Sequence, residues 1–128
     1  MSIHSGRIDP PVCREDLVRK AAGSKFESDF DWIDDKTAIR VTGDPRNRGL
    51  TATEIKECAR EWILDGGKIK CVPEERQLYK ERRHYRYDIV IENIAGFPRG
   101  FYVEMELCNT DEKDPAVNLL NAHPQQRY

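Results

Sequence analysis

Residues 83–108 have the sequence RHYRYDIVIENIAGFPRGFYVEMELC, and this stretch decides the predicted fold. Two runs of alternating apolar and polar side chains, 84–91 and 101–108, flank the turn-rich segment 93–100. Alternation over runs of this length is typical of a strand with one buried face, because successive side chains lie on opposite faces of a strand. We therefore predict an antiparallel hairpin at the centre of a small sheet.

The predicted hairpin brings acidic side chains together. A slip of one residue would turn Asp88 toward the core, so only alternate registers are compatible with a single apolar face. With a turn centred near Gly96, Asp88 faces either Glu104 or Glu106 across the hairpin. In both registers two carboxylates meet, and we expect one of them to titrate above its ordinary value, with Arg86 opposing the shift.

Composition indicates a polar protein built as one domain. The chain has 128 residues, of which 38% are hydrophobic and 34% charged, and its net charge is -2. A chain with this charge has no general attraction to nucleic acid, so an anionic partner must be bound by a local basic patch. We predict a single α+β domain over residues 1–128, with the turn-rich connector 43–50 as its best internal boundary and a loose tail at 124–128.

The sequence predicts a cytoplasmic protein with no membrane contact. Residues 1–7 lack the apolar core of a signal peptide, and no run approaches the roughly 18 apolar residues of a membrane span. The cysteines show no Cys-x-x-Cys spacing, so we expect reduced thiols and neither a zinc ribbon nor a redox pair. They are Cys13, Cys58, Cys71 and Cys108.

Capping residues and apolar periodicity predict two helices. The first covers residues 9–22, with Asp9 as its N-cap and two prolines in its first turn. The second covers residues 52–65, where Thr51 and Glu54 have the spacing of a capping box and an apolar stripe should pack on the hairpin.

Shorter patterns predict the remaining elements. The β-branched residues of 37–42 favour a strand, and 68–72 alternates as a second one. The aromatic residues of 25–35 fit either a strand or a loop over the core. Residues 116–123 are compatible with a helix or a closing strand, and the strand is favoured.

Residues 74–86 form the most charged segment of the chain. They are predicted to be either a solvated connector or a local cationic patch beside the hairpin. A cluster of this kind is sufficient to recognise phosphate. The predicted patch consists of Lys80, Arg82, Arg83, His84 and Arg86.

The order of elements from residue 51 resembles the small ribonuclease domains of bacterial toxins of the RelE and barnase-like group. The similarity lies in the helix at 51–67, the following strand, the sequence RHYRY at 83–87 that enters the hairpin, and His123 near the end. The resemblance implies a protein that binds RNA and cleaves it without a metal. It implies His84 or His123 as a general acid or base and Arg83 and Arg86 as stabilisers of the phosphorane.

A second resemblance leads to a different chemistry. Asp88 and the later Glu104-Met105-Glu106 are similar to the hairpin of restriction-endonuclease-like nucleases, in which an aspartate and a Glu-x-Lys signature share one face. The resemblance implies Mg²⁺ held by Asp88, Glu104 and Glu106, although Glu106 stands where the lysine is expected.

A third interpretation requires no catalysis. Tyrosine and phenylalanine beside arginine are residue types that dominate binding hot spots, so the domain is also compatible with a module that binds a protein partner. The sequence contains no pattern that indicates an oligomeric state. The aromatic residues concerned are Tyr79, Tyr85, Tyr87, Phe97 and Tyr102.

Overall fold

The computed structural model describes residues 6–125, which form three helices and a five-stranded sheet. The predicted α+β fold class is confirmed. The helices are α1 (Glu15–Ala22), α2 (Asp35–Gly43) and α3 (Ala52–Leu64), and the strands are β1 (Phe30–Trp32), β2 (Lys70–Pro73), β3 (Tyr85–Ile91), β4 (Phe101–Asn109) and β5 (Ala116–Pro124).

The strands lie in the order β1-β5-β4-β3-β2. Strands β2 to β5 are consecutive antiparallel neighbours, and β1 is added parallel to β5 at the edge. The sheet is therefore mixed: it is antiparallel except for the pairing of β1 with β5. Apolar side chains of α1, α2, α3 and one face of the sheet form a common core.

The central hairpin has one of the two predicted registers. Asp88 pairs with Glu104 and Ile89 with Val103, and both apolar residues are buried. The connecting turn ends at Gly100, whose φ of 92° belongs to the left-handed region. A Cβ at that glycine would also lie 2.6 Å from Val90 Cγ1, so glycine is required there for two reasons.

Helix α3 begins at the predicted capping box. The Thr51 hydroxyl accepts from the Glu54 N–H, and the Glu54 carboxylate accepts from the Thr51 N–H. Ile55, Ala59 and Ile63 are buried on the apolar side of the sheet. The predicted packing of this helix on the hairpin is confirmed.

The amino-terminal helix is shorter than predicted. It begins at Glu15, and Asp9 is not its N-cap. The buried Asp9 carboxylate instead accepts from the N–H groups of His84 (2.7 Å) and Tyr85 (3.0 Å). Asp9 thereby satisfies two backbone donors where β3 begins, and residues 10–14 cross to α1 without helical structure.

The prediction of a strand at 37–42 is wrong, because these residues lie in α2. Asp34 caps the helix by accepting from the Thr37 N–H at 2.7 Å. Val41 is buried against the core, whereas Ile39 is 72% exposed. The cap and the burial of one helical face outweigh the strand preference of the β-branched residues.

The two uncertain segments both contain strands. Only Phe30–Trp32 of the stretch 25–35 is a strand, and Phe26 lies outside it with 56% of its surface exposed. The last element is the favoured strand, which extends to Pro124, and the Gln125 N–H donates to the Gly100 carbonyl. The start of the chain at 1–5 and the rest of the predicted tail at 126–128 lie outside the described residues.

Cys13 and Cys71 form a disulfide, so the prediction of four reduced thiols is wrong. Their Cα atoms are 6.2 Å apart although the residues are separated by 58 positions. The neighbouring Arg14 N–H donates to the Tyr87 hydroxyl at 2.9 Å, which holds the same segment against β3. The other two cysteines are free.

Within residues 6–125, no helix is long and apolar enough to cross a bilayer. The longest, α3, has 13 residues, and a span needs about 20.

Candidate functional site

The face of the sheet opposite the helices is polar. Alternation along β3 and β4 turns their charged side chains to this face, and β5 adds amides and a histidine opposite them. We call this surface the polar face; its members are Arg86, Asp88, Tyr102, Glu104, Glu106, Asn118, Asn121 and His123.

In one part of the polar face, arginines bind the buried carboxylates. The Glu106 carboxylate is fully buried and accepts from Arg82 (2.8 and 2.5 Å), from Arg83 (2.7 Å) and from Asn118 (2.8 Å). Burial by itself would raise the pKa of Glu106, but these donors and the arginine charges lower it overall. This carboxylate is therefore ionised and has its hydrogen-bonding capacity satisfied.

Glu74, from the connector between β2 and β3, belongs to the same network. Its buried carboxylate accepts from Arg83 at 2.9 Å and from Arg76 at 2.7 Å, and Arg76 also bridges to Glu104 at 2.5 Å. Burial opposes ionisation, yet the hydrogen bonds and charge of Arg76, with the charge of Arg83, lower the pKa of Glu74 to about 2. The residues Glu74, Arg76, Arg82, Arg83 and Glu106 are called the arginine network below.

Asp88 lies outside this network and is the least compensated acid of the polar face. It is only 8% exposed, and its Oδ2 accepts from Arg86 Nε at 3.2 Å. Its Oδ1 is buried without a hydrogen-bond partner. Burial raises the pKa of Asp88, with a smaller contribution from the facing Glu104, while Arg86 and the Tyr102 hydroxyl oppose the shift. The expected upward shift is found, but burial is a larger cause than the repulsion predicted from the sequence.

Asp88 borders a cavity of about 310 Å³. Lys70, which pairs with Asp88 across β2 and β3, lines the same cavity, together with Tyr102 and Gln125. Lys70 is therefore added to the polar face, and we call Lys70, Arg86, Asp88, Tyr102 and His123 its open end.

Tyr102 and His123 pair across β4 and β5 at this open end. Their ring centroids are 4.9 Å apart, and the Tyr102 hydroxyl donates to Glu104 Oε1 at 3.3 Å. Burial and the charges of Asp88 and Glu104 raise the pKa of Tyr102, so its hydroxyl stays protonated. His123 Nδ1 lies 2.9 Å from the Pro124 carbonyl oxygen, which can only accept, so Nδ1 is the protonated nitrogen and Nε2 remains for other chemistry.

The two histidines predicted from the sequence are not brought together. His84 Nδ1 lies 3.0 Å from an Arg7 nitrogen at the other end of β3. His123 pairs with Tyr102, which faces Val90, six residues along from His84. At about 3.3 Å per residue the separation along the strand is about 20 Å, too far for both to act on one phosphate.

The other predicted residues divide between the two parts of the polar face. Arg83 is 3% exposed in the arginine network, whereas Arg86 contacts Asp88 at the open end. Of the three carboxylates in the metal hypothesis, Asp88 and Glu104 are neighbours and Glu106 is bound by the network. Within residues 6–125, no group of three or more His, Cys, Asp or Glu is arranged to hold a metal ion.

Sequence reasoning missed Tyr102 and Lys70 as members of a site. The sequence assigns Tyr102 only to a binding surface, although its position two residues before Glu104 places it on the polar face. Lys70 joins the site through its pairing with Asp88, for which no local pattern exists in the sequence.

No family model, curated protein or solved structure matches the chain.

Proposed function

We propose that the protein is a metal-independent ribonuclease whose active site is the open end of the polar face. The observation that supports this most is Asp88, a buried carboxyl group with a raised pKa and an unpartnered oxygen beside a cavity. Such a group exchanges protons at a pH closer to neutrality than an ordinary aspartate, which suits general acid–base catalysis.

RNA supplies its own nucleophile, so proton transfer and charge stabilisation are the main requirements. In the proposed reaction Asp88 accepts the proton of a ribose 2′-hydroxyl, and the 2′-oxygen forms a bond to the adjacent phosphorus. The bond from phosphorus to the 5′-oxygen breaks, and His123, doubly protonated at the start of the reaction, donates its Nε2 proton to that leaving oxygen. The products are a 2′,3′-cyclic phosphate and a 5′-hydroxyl end.

In the proposed reaction, two cations of the open end stabilise the reacting phosphate. Arg86 is anchored to Asp88 and Lys70 is the cross-strand neighbour of Asp88. Both therefore lie beside the proposed base, where negative charge develops on the phosphorane oxygens. A guanidinium can contact two of these oxygens at once.

The magnesium alternative is supported less well by the side chains. Glu104 is bridged to Arg76 and Glu106 is bound by two arginines, so the negative charge of both is already compensated. A divalent ion at Asp88 would have to compete with these arginines for a second carboxylate.

The first test is the substitution Asp88→Asn. We expect it to reduce the cleavage rate of single-stranded RNA by about 10²- to 10⁴-fold, because the amide cannot accept the proton. The free energy of unfolding should change by less than about 1 kcal/mol, since asparagine keeps the shape and removes the facing negative charge. Cleavage of end-labelled RNA in EDTA and urea denaturation measure the two quantities.

Asp65→Asn is the matched control for this test. It makes the same chemical change at the C-cap of α3, at a residue that does not line the Asp88 cavity, and should leave the cleavage rate within twofold. Loss of wild-type cleavage in EDTA would favour the magnesium alternative. Absence of cleavage products with 2′,3′-cyclic phosphate ends from any RNA would refute the proposal.

The pH profile gives a second test. The ionised form of Asp88 is the base, so kcat/KM should rise as pH increases through the pKa of Asp88. Because burial raises that pKa, the rise should lie above the ordinary aspartate value of about 3.9. His123→Gln should lower kcat by about 10²- to 10⁴-fold, because glutamine cannot donate a proton to the leaving oxygen, while the rise at low pH remains. A kcat within twofold of the wild-type value would exclude His123 as the acid.

A further inference from the structure

A second cavity, of about 320 Å³, lies beside the open end and is lined by arginines. Its walls include Arg46, Arg48 and Arg99, with Phe97 and Pro98 as an apolar side. We call this cavity the arginine groove.

The arginine groove has a local positive charge although the protein as a whole is slightly acidic. Asp44 pairs with Arg46 at 2.8 Å and neutralises it in part. Arg48 lies over the Phe97 ring at 5.8 Å and donates one hydrogen bond, to the Gly96 carbonyl at 3.1 Å. With five N–H donors on a guanidinium, Arg48 retains donors for an anionic ligand while its position is fixed.

The groove is continuous with the open end of the polar face. Gln125 lines both the arginine groove and the cavity that contains Asp88. His123 precedes Pro124, which lines the groove, and it pairs with Tyr102, which lines the Asp88 cavity. The proposed acid His123 therefore lies between the groove and Asp88.

We propose that the arginine groove binds the backbone phosphates of a single-stranded RNA, next to the phosphate that is cleaved. This inference rests on the proposed ribonuclease function and identifies its substrate class. Arg48 and Arg99 would contact phosphates, and the apolar side at Phe97 and Pro98 would pack against an unstacked base. In a duplex the bases are stacked and paired, so this apolar side favours a single strand.

Binding of a 2′-O-methyl RNA oligonucleotide tests the inference without cleavage, because the nucleophile is blocked. Arg48→Gln should weaken binding about fivefold at 0.1 M salt, and the double variant Arg48→Gln with Arg99→Gln about 20-fold. The slope of log affinity against log salt should become less steep by about 0.7 for each phosphate that the variant no longer neutralises. Fluorescence anisotropy between 50 and 200 mM NaCl measures both, and thermal melting checks that each variant is folded.

Lys113→Gln is the matched control. Lys113 is exposed in the turn between β4 and β5, at the opposite end of β4 from the groove, and the substitution removes one positive charge. Equal weakening by Lys113→Gln and Arg48→Gln would mean that only overall charge matters and would overturn the inference. Equal affinity for single-stranded and double-stranded oligonucleotides would also overturn it.

Cleavage of unmodified RNA separates the two proposals. If both hold, the groove variants raise KM while kcat at saturating RNA stays within about twofold, and Asp88→Asn retains oligonucleotide binding. If the groove variants lose binding but the wild-type protein does not cleave RNA, the inference that the groove binds RNA is supported and the ribonuclease proposal fails. If the wild-type protein cleaves RNA but the groove variants show unchanged KM and affinity, the groove inference alone fails.

Discussion

Replacing Arg83 with methionine is expected to lower the free energy of unfolding by about 3 to 5 kcal/mol. Arg83 is 3% exposed and donates to the fully buried carboxylates of Glu74 and Glu106 at 2.9 and 2.7 Å. Methionine fills a similar volume but leaves both carboxylates with less compensation in a poorly hydrated site. Urea denaturation followed by circular dichroism measures the decrease.

Two further variants distinguish the buried charge from other effects of the substitution. Arg82→Met removes an arginine that also pairs with Glu106 but is 43% exposed, and it should cost less than about 1 kcal/mol. Adding Glu106→Gln to Arg83→Met should restore part of the stability, because one uncompensated charge is removed. A decrease below about 1 kcal/mol for Arg83→Met alone would contradict the structural role given to the network.

Reduction of the disulfide between Cys13 and Cys71 is expected to cost about 4 kcal/mol of stability at 25 °C. The bond links residues separated by 58 positions, and the chain-entropy relation for a loop of this length gives a cost of that size. Comparison of urea unfolding with and without dithiothreitol measures it, and the Cys13→Ser variant should be insensitive to the reductant.

Cys58→Ser is the control for this comparison, because Cys58 is a free thiol. Its stability should respond to the reductant as the wild-type protein does. Thiol titration of the unfolded, unreduced protein should find two thiols; four would contradict the disulfide. Disulfides persist mainly in oxidising compartments, so a count of two thiols would argue against the predicted cytoplasmic location.

The predicted site and the structural site overlap only in part. Arg86 and His123 lie at the open end of the polar face, whereas Arg83 is buried in the arginine network and His84 lies at the other end of β3. At the sequence level each basic residue is an equally good candidate for catalysis or for structure. Burial distinguishes them, because Arg83 is 3% exposed and uses its donors on two carboxylates, so it has little surface left for a substrate.

The pairing of Asp88 is predicted by the local sequence pattern, whereas the main cause of its raised pKa is not. The alternation of β3 and β4 predicts Asp88 opposite a glutamate, and the pairing with Glu104 is confirmed. The sequence also predicts a raised pKa for one of these acids. Burial is the larger cause at Asp88, while its ion pair with Arg86 and the Tyr102 hydroxyl lower its pKa. The neighbouring Glu104 and Glu106 are bound instead by arginines of the network.

The sequence by itself determined the hairpin, the restriction of its register to alternate pairings and the start of α3. Each of these features depends on residues a few positions apart. Two-residue alternation and a capping box are such local patterns. Only the tertiary structure decided the helix at 35–43, the Cys13–Cys71 bond and the partners of each buried carboxylate. These features depend on which distant segments meet: Asp9 reaches His84, and Arg83 reaches Glu106, only after the sheet has formed. Such long-range contacts produce no local sequence pattern, because burial and ion pairing depend on how the whole chain folds.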